Sequence, residues 1–436
     1  MLRDLSRTGR TISLLVVLAI SAALAHPVIA AAPAAKAEPV VAIVKGEDVD
    51  KMVAEAISLI GGIKGLVKDG DTVVIKPNLV TPAKAQRPGL MTDVRIVAAI
   101  IREVKAVAKC KIIVAEGSAP DIRGGRTLAA TPDAFKGNGY TEMAEKLGVE
   151  LVDLNADKRV SVKVAGLARQ EYDMPETIMK ADVLVDVPVL KTHNIAGVTL
   201  GIKNLFGLMS PPKERFHGSL NEVLCDIVKM RRPDLVVVDG LVGTEGQGPL
   251  DGTAIKVDVI LAGRDIVATD AVAAAVMGFD ARRVPAIVLS NKAGLGEIDL
   301  AKIIVKGKQI SDVKKPFKPA TMYARITMLR DDAMIKKLVS LADSVEEVQH
   351  SWGGSEKRAI FKPDRLKPDT AKYPLRASYG FSVGLDGWSD AVEFRAPYEV
   401  IIEENGQAAI EEMYRWIETN LGIKDKGVAR ARVMGD

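Results

Sequence analysis

Val183-Leu-Val-Asp-Val-Pro-Val-Leu-Lys-Thr-His-Asn-Ile-Ala-Gly-Val-Thr-Leu-Gly-Ile-Lys-Asn-Leu-Phe-Gly207 opens as an apolar, β-branched run and closes in polar groups and glycines. Val183–Leu190 reads as a strand that is apolar on both faces, the pattern of a strand covered by helices on each side. The residues after Leu190 form the richest polar stretch of the chain. Lys191 and His193 alternate with Leu190 and Thr192, so both point one way from an extended end. A helix starting near Ala196 places Lys203 and Asn204 about two turns inside it, and Gly197, Gly201 and Gly207 permit close backbone approach.

The same rhythm extends outward in both directions. Strands are expected at Val40–Val44, Thr72–Lys76, Lys111–Ala115, Leu151–Leu154, Leu235–Asp239, Val257–Ala262 and Ile303–Val305. Helical periodicity lies between them, at Asp50–Ile60 with its Gly61-Gly62 stop, from Asp93 to Val107, in Leu220–Met230 and from Ile266 onward. Alternating βα units predict an α/β fold: a mainly parallel sheet covered by helices on both faces. Near Lys315 the composition changes, and twelve of the eighteen aromatic residues fall in Phe317 to Trp416. An aromatic-rich α+β C-terminal module is expected there, with helices at Asp331–Val345 and Gln407–Leu421. The expected organisation is a signal peptide over 1–30, a core domain over 40–317 and the C-terminal module over 318–436.

Sixty Lys and Arg against fifty-six Asp and Glu leave a formal charge of +4 on 436 residues, too little to steer a nucleic acid. The two cysteines, Cys110 and Cys225, cannot supply a four-thiolate zinc site or an iron–sulfur cluster from this chain. Both read as buried small hydrophobes rather than a disulfide. Arg3, Arg7 and Arg10 precede the apolar run Ile12–Ala25 and then small residues, the pattern of a cleaved secretory leader. A periplasmic or secreted location is the consequence, with no stable membrane span after cleavage. The apolar run is shorter than the roughly 20 residues of a spanning helix, and an uncleaved N-terminal anchor is the alternative.

In open α/β sheets ligands sit beyond the carboxyl ends of the strands. Four expected strands end in Lys76-Pro77-Asn78, Glu116-Gly117-Ser118, Lys191-Thr192-His193-Asn194 and Asp239-Gly240. Polar groups at one sheet edge point to a shared cleft. Lys76, Lys191 and Lys203 suit the charge of a carboxylate or phosphate, Asn78 and Asn204 fix its orientation, and His193 moves a proton. Gly117 and Gly240 allow the backbone to approach, and His217 lies in a mobile flap over the cleft. The glycine-rich stretch Gly240–Gly252 reads as a loop that brings N–H groups to an anion or lets Asp239 and Glu245 converge on a hard cation. Glu116 and Asp239 either hold a divalent cation or pair with the lysines, and Asp270 pairs with a cleft lysine or serves as a local cap. The competing reading leaves Lys191 and Lys203 as solvated caps and His193 as a satisfied loop histidine. No Walker pattern, ordered Gly-x-Gly-x-x-Gly or Gly-x-Ser-x-Gly elbow is present, which argues against nucleotide hydrolysis, Rossmann binding and elbow-type acyl transfer.

With Val73-Val-Ile-Lys-Pro-Asn-Leu79, Val114-Ala-Glu-Gly117, Val183–Gly207, Val238-Asp-Gly240 and Ala268-Thr-Asp-Ala271, the chain resembles the family called domain of unknown function 362. The resemblance covers roughly Val40 to Phe317 and implies an α/β fold without naming a reaction. Many members carry a ferredoxin-like cysteine-rich module, which the two cysteines here cannot reproduce. The expected function is that of an exported enzyme acting on a small anionic metabolite, carboxylate or phosphate, in a cleft lined by Lys, His and Asn. The alternative is a periplasmic anion- or metal-binding protein without turnover.

Overall fold

The computed structural model describes residues 38–80, 87–118, 121–123, 126–128, 131–211, 213–320, 323–329, 331–350, 354–362, 365, 381–385, 391–397, 415–422 and 430–433. The leader expected over 1–30 lies outside the described residues. Among those residues no helix is long and apolar enough to cross a membrane.

A ten-stranded sheet organises the chain up to Gly307. Its order is Ile304–Gly307, Val40–Lys45, Thr253–Gly263, Leu235–Glu245, Val183–Val187, Thr72–Pro77, Lys111–Glu116 and Glu150–Asp153, with Val189–His193 paired to Leu235–Glu245 and Gly197–Thr199 paired to Val189–His193. Pairing is parallel from Leu235–Glu245 through to Glu150–Asp153, and antiparallel where Thr253–Gly263 lies between Val40–Lys45 and Leu235–Glu245. Side chains alternate between the faces. Val41, Val74, Ile113, Leu184 and Val236 pack with the helices Leu220–Met230, Ile266–Val276 and Pro285–Lys292. Ala42, Val73, Val114, Val185 and Val237 pack with Val49–Leu59, Val94–Val107 and Tyr140–Leu147. The mainly parallel sheet with helices on both faces is therefore present.

Two of these helices start at an aspartate that caps them. Asp93 caps Val94–Val107 by accepting the Arg95 N–H at 2.9 Å, and Ile96, Ile100 and Val104 recur at the spacing that buries one stripe. Asp265 caps Ile266–Val276 by accepting from Val267 and Ala268. That helix is apolar nearly all round, and Asp270 is its buried charged exception.

Three local expectations are corrected. Val183–Leu190 is two strands, because Pro188 has no N–H for a ladder; Val189–His193 shifts register against Leu235–Glu245, from Val189 opposite Asp239 to Lys191 opposite Thr244. The helix expected from Ala196 is the strand Gly197–Thr199 followed by a four-residue helix, Gly201–Asn204. The glycine-rich stretch is a loop only over residues 246–252. Gly240–Glu245 continues a strand that runs antiparallel to Thr253–Gly263.

Beyond Lys318 the described residues form a separate antiparallel sheet in the order Ser344–His350, Gly354–Phe361, Phe381–Gly384, Ala391–Pro397, Tyr323–Leu329, Arg430–Val433. It has its own core of Met334, Leu338, Ala359, Phe361, Val383, Val392 and Phe394. The helix expected at Asp331–Val345 ends at Leu341, and its last residues belong to the next strand. Of the helix expected at Gln407–Leu421, residues 415–421 are helical and 407–414 lie outside the described residues. Cys110 and Cys225 are free thiols, the first half-buried and the second buried.

Candidate functional site

Lys76 and Asp186 are register partners on neighbouring parallel strands, and they continue the face that carries Val74 and Leu184. Next to them Lys111–Glu116 ends in Glu116. Lys76 Nζ lies 3.0 Å from both Glu116 carboxylate oxygens, and the two side chains are 1% and 3% exposed. Glu116 also accepts the Leu79 N–H at 3.0 Å and the Gly117 N–H at 2.7 Å. A buried ion pair is held only when its remaining hydrogen-bonding capacity is used, as it is here.

The network runs on through two amides. Asn204 accepts from Lys76 Nζ at 3.3 Å and from Asn78 Nδ2 at 2.8 Å, while its own Nδ2 donates to Asp186 Oδ1 at 2.8 Å. Asn78 Oδ1 accepts from Lys191 Nζ at 2.6 Å, and Lys191 donates a second bond to Leu90 O at 2.8 Å. Lys76, Asn78, Glu116, Lys191 and Asn204, far apart in sequence, thus form one continuous buried cluster at the carboxyl ends of adjacent strands. The Gly201–Asn204 helix is only four residues long. Asp270 holds it by accepting from the Gly201 and Ile202 N–H groups at 2.7 and 2.9 Å, which makes Asp270 a cap and not a lysine partner.

Two further residues complete the cluster. Lys213 donates to Gly117 O and, at 3.0 Å, to Gly207 O, which adds a fourth lysine. Its sequence context, after two prolines, gives no hint of this. Asp186 is fully buried, and its Oδ2 has no hydrogen-bond partner among the described residues. Burial, ahead of the opposing pull of Lys76, raises its carboxyl well above the usual range. A lone charge inside Val183–Val187 was the signal that could have found it.

Burial also governs the lysines. It pulls Lys191, Lys203 and Lys213 each down to about 7, with Lys76 pushing the same way in all three and Glu116 opposing. Lys203 keeps some exposure. Its Nζ lies 4.5 Å over the Phe206 ring, and among the described residues it makes no hydrogen bond. An ammonium has three N–H groups. Lys191 and Lys213 each use two, so each keeps one to offer.

Other expected site residues are placed elsewhere or used differently. His193 Nδ1 accepts the N–H groups of Ile195 at 3.0 Å and Ala196 at 3.3 Å, so the neutral ring carries its proton on Nε2. That arrangement braces the turn after His193 and gives the ring no open Nδ1 lone pair for a base. Asp239 accepts from the N–H groups of Asp93 at 2.8 Å and Leu241 at 3.0 Å, anchoring the start of Val94–Val107; burial raises it to about 7. Glu245 accepts from the Lys318 N–H. Glu116 and Asp239 are thus engaged by different partners, and of the two alternatives weighed for Glu116 the lysine pair is present. Among the described residues no group of three His, Cys, Asp or Glu is arranged to hold a metal.

Gly240 is a packing glycine rather than an anion cradle, because a Cβ there would come 2.6 Å from Val259 Cγ2 and 2.8 Å from Leu190 Cδ1. His217 lies in the short 3-10 segment Lys213–Ser219, and its side chain is outside the described residues. Gly117 and Gly207 meet backbone to backbone at the cluster: a Cβ on Gly117 would come 2.3 Å from Gly207 O, and one on Gly207 would come 2.4 Å from Glu116 Oε1 and 2.9 Å from Lys76 Nζ. Gly207→Ala is accordingly expected to cost about 1–3 kcal/mol, the range for overpacking a filled interior. A urea titration of the variant checks this, and a midpoint equal to wild type would refute it.

The core of the chain has relatives among known proteins. Over 246 residues the chain is 28% identical to a thylakoid-associated protein of Synechocystis sp., a match that covers 54% of this chain and 72% of that protein. Among solved structures it resembles the lactate racemase apoprotein from Thermoanaerobacterium thermosaccharolyticum, with 15% identity, a TM-score of 0.33, and coverage of 52% of this chain and 54% of the other. A protein of Thermotoga maritima matches with 12% identity and a TM-score of 0.30, over 57% of this chain and 60% of that one. The chain thus spans little more than half the length of these two solved proteins. The family described as Domain of unknown function (DUF362) matches residues 73–275, the segment that supplies Lys76, Asn78, Glu116, Asp186, Lys191, Lys203, Asn204, Lys213 and Asp270. Over that segment the chain is similar to the domain of unknown function 362 family.

Proposed function

We propose that this protein is exported and acts on a small anionic metabolite, a carboxylate or phosphate, bound by Lys191, Lys203 and Lys213. The observation that carries this reading is the imbalance of charge in the cluster. Four lysines surround a single carboxylate ion pair, and that pair already satisfies Lys76. Buried charge without a counter-charge is expensive. The remaining three lysines meet that expense by sitting near 7, where an arriving anion shifts them to the charged state. Asn78 and Asn204 hold two fixed amide orientations beside them. Export is supported by the leader pattern of the first thirty residues, and a reporter enzyme active only outside the cytoplasm, fused after Ala37, tests it.

A second reading, binding without turnover, is favoured by one observation: His193 spends Nδ1 on its own turn. Melting curves in inorganic phosphate and in small mono- and dicarboxylates address the shared part of both. A ligand that binds only the folded state at one hundred times its Kd contributes about 2.7 kcal/mol. At least one anion is expected to raise Tm in wild type, with the rise lost in Lys191→Met. Equal rises in both proteins, or none in either, would refute the anion site. For a ligand that does bind, His193→Ala separates the readings: under turnover it abolishes product formation while the Tm rise persists.

A further inference from the structure

We propose that the Lys203 amine forms a Schiff base with the carbonyl of a small 2-oxo acid, whose carboxylate is held by the unused N–H groups of Lys191 and Lys213. This rests on the anion reading above and deepens it from charge to covalent chemistry.

The four lysines of the cluster are not equivalent. Lys76 is saturated by Glu116, Pro77 O and Asn204. Lys191 and Lys213 are tied to carbonyl and amide oxygens, which accept from an ammonium and hold it in place. Lys203 alone has no oxygen acceptor among the described residues, and its amine rests on the face of Phe206. A ring face favours a cation by about 0.5–1 kcal/mol at an exposed site, a weak hold against burial beside Lys76, the two effects that favour the neutral amine. An amine activated by an apolar wall and a neighbouring cation is the arrangement that makes lysine a nucleophile toward carbonyl carbon. Lys203 also sits next to Asn204, whose amide is locked by Asp186 and Lys76, so the backbone that carries the amine is fixed.

The chemistry balances without a further reagent. The nitrogen lone pair of neutral Lys203 adds to the carbonyl carbon. Both amine hydrogens end on the carbonyl oxygen, the C–O bond breaks, and one water leaves as the C=N bond forms. Nothing is oxidised or reduced. The ammoniums of Lys191 and Lys213 stabilise the carboxylate and the oxygen as charge develops on it.

Reductive trapping tests this. Wild-type protein is treated with pyruvate and sodium borohydride near pH 7, digested, and mapped by mass spectrometry. The expected adduct is pyruvic acid less one oxygen, at least tenfold enriched on Lys203 over any surface lysine, absent in Lys203→Arg and suppressed by inorganic phosphate. Labelling spread evenly over exposed lysines, or undiminished by phosphate, overturns the proposal. Should Lys203→Arg fail to fold, phosphate protection in wild type decides the same point. A Tm rise with pyruvate but no adduct refutes the Schiff base and leaves the anion reading standing; no Tm rise with any anion refutes that reading instead.

Discussion

Glu116→Gln is expected to lower the stability of this protein by about 3–5 kcal/mol, the cost of removing one partner from a buried ion pair. The substitution strands the Lys76 ammonium, which is 1% exposed, and replaces one of two acceptor oxygens by a donor facing the Leu79 and Gly117 N–H groups or Lys76 itself. Lys76→Met is expected to be milder. It leaves a carboxylate that still accepts two backbone N–H bonds and still has lysines around it. At roughly 2–4 °C per kcal/mol for a domain of this size, Glu116→Gln should melt on the order of 10 °C below wild type, with Lys76→Met in between. The reverse ordering, or a Glu116→Gln protein that melts with wild type, would show that the pair is not the keystone of the cluster.

The second large effect is an inverted dependence of stability on pH. Asp239 and Asp270 are raised by burial from 3.8 to about 7, and Asp186 is raised as well. Between about pH 4 and 7 the folded chain therefore holds protons that the unfolded chain has released, so the contribution of these acids to stability falls as pH rises. Lys191, Lys203 and Lys213 are lowered from 10.5 to about 7. Between 7 and 10.5 the unfolded chain holds the extra protons, and their contribution rises with pH. Both trends place the lowest stability from these groups near neutrality, where many proteins are most stable. Urea midpoints taken at pH 5, 7 and 9 at constant ionic strength should trace a minimum at 7. Lys191→Met should flatten the alkaline limb, and an anion that binds the cluster should fill in the minimum by keeping the lysines charged. A maximum at pH 7 in the unliganded protein would contradict the burial of these groups.

The strands were legible because their signal is local. Val73–Ile75, Ile112–Ala115 and Val236–Val238 are apolar on both faces whatever they pair with, and a helix-covered sheet is the arrangement that buries both. Polar residues at the strand ends were legible for the same reason, and Lys76, Asn78, Glu116, Lys191 and Asn204 do meet. The partners of His193 and Asp239 were not legible, because those partners are backbone N–H groups, which every residue but proline has and no residue type announces. Of the stretch Gly240–Gly252 the turn over 246–252 was legible, but Gly240–Glu245 was ambiguous because glycine suits a loop and a tightly packed strand equally. Only pairing with Thr253–Gly263 and the press of Leu190 and Phe317 decide between them. Asp186 was visible as a charge in an apolar strand; the upward shift of its carboxyl depends on burial, which emerges only when the strand is covered.

Four residues cannot sustain a helical turn unaided, since nucleation fixes several dihedrals for a single hydrogen bond. Gly201–Asn204 exists because a carboxylate at position 270 grips its first two N–H groups. During synthesis, then, Lys203 and Asn204 emerge from the ribosome long before the segment that sets them in place. A chain interrupted between Lys213 and Asp270 carries every lysine of the cluster and cannot assemble it, so the site comes into being as one of the last acts of core folding.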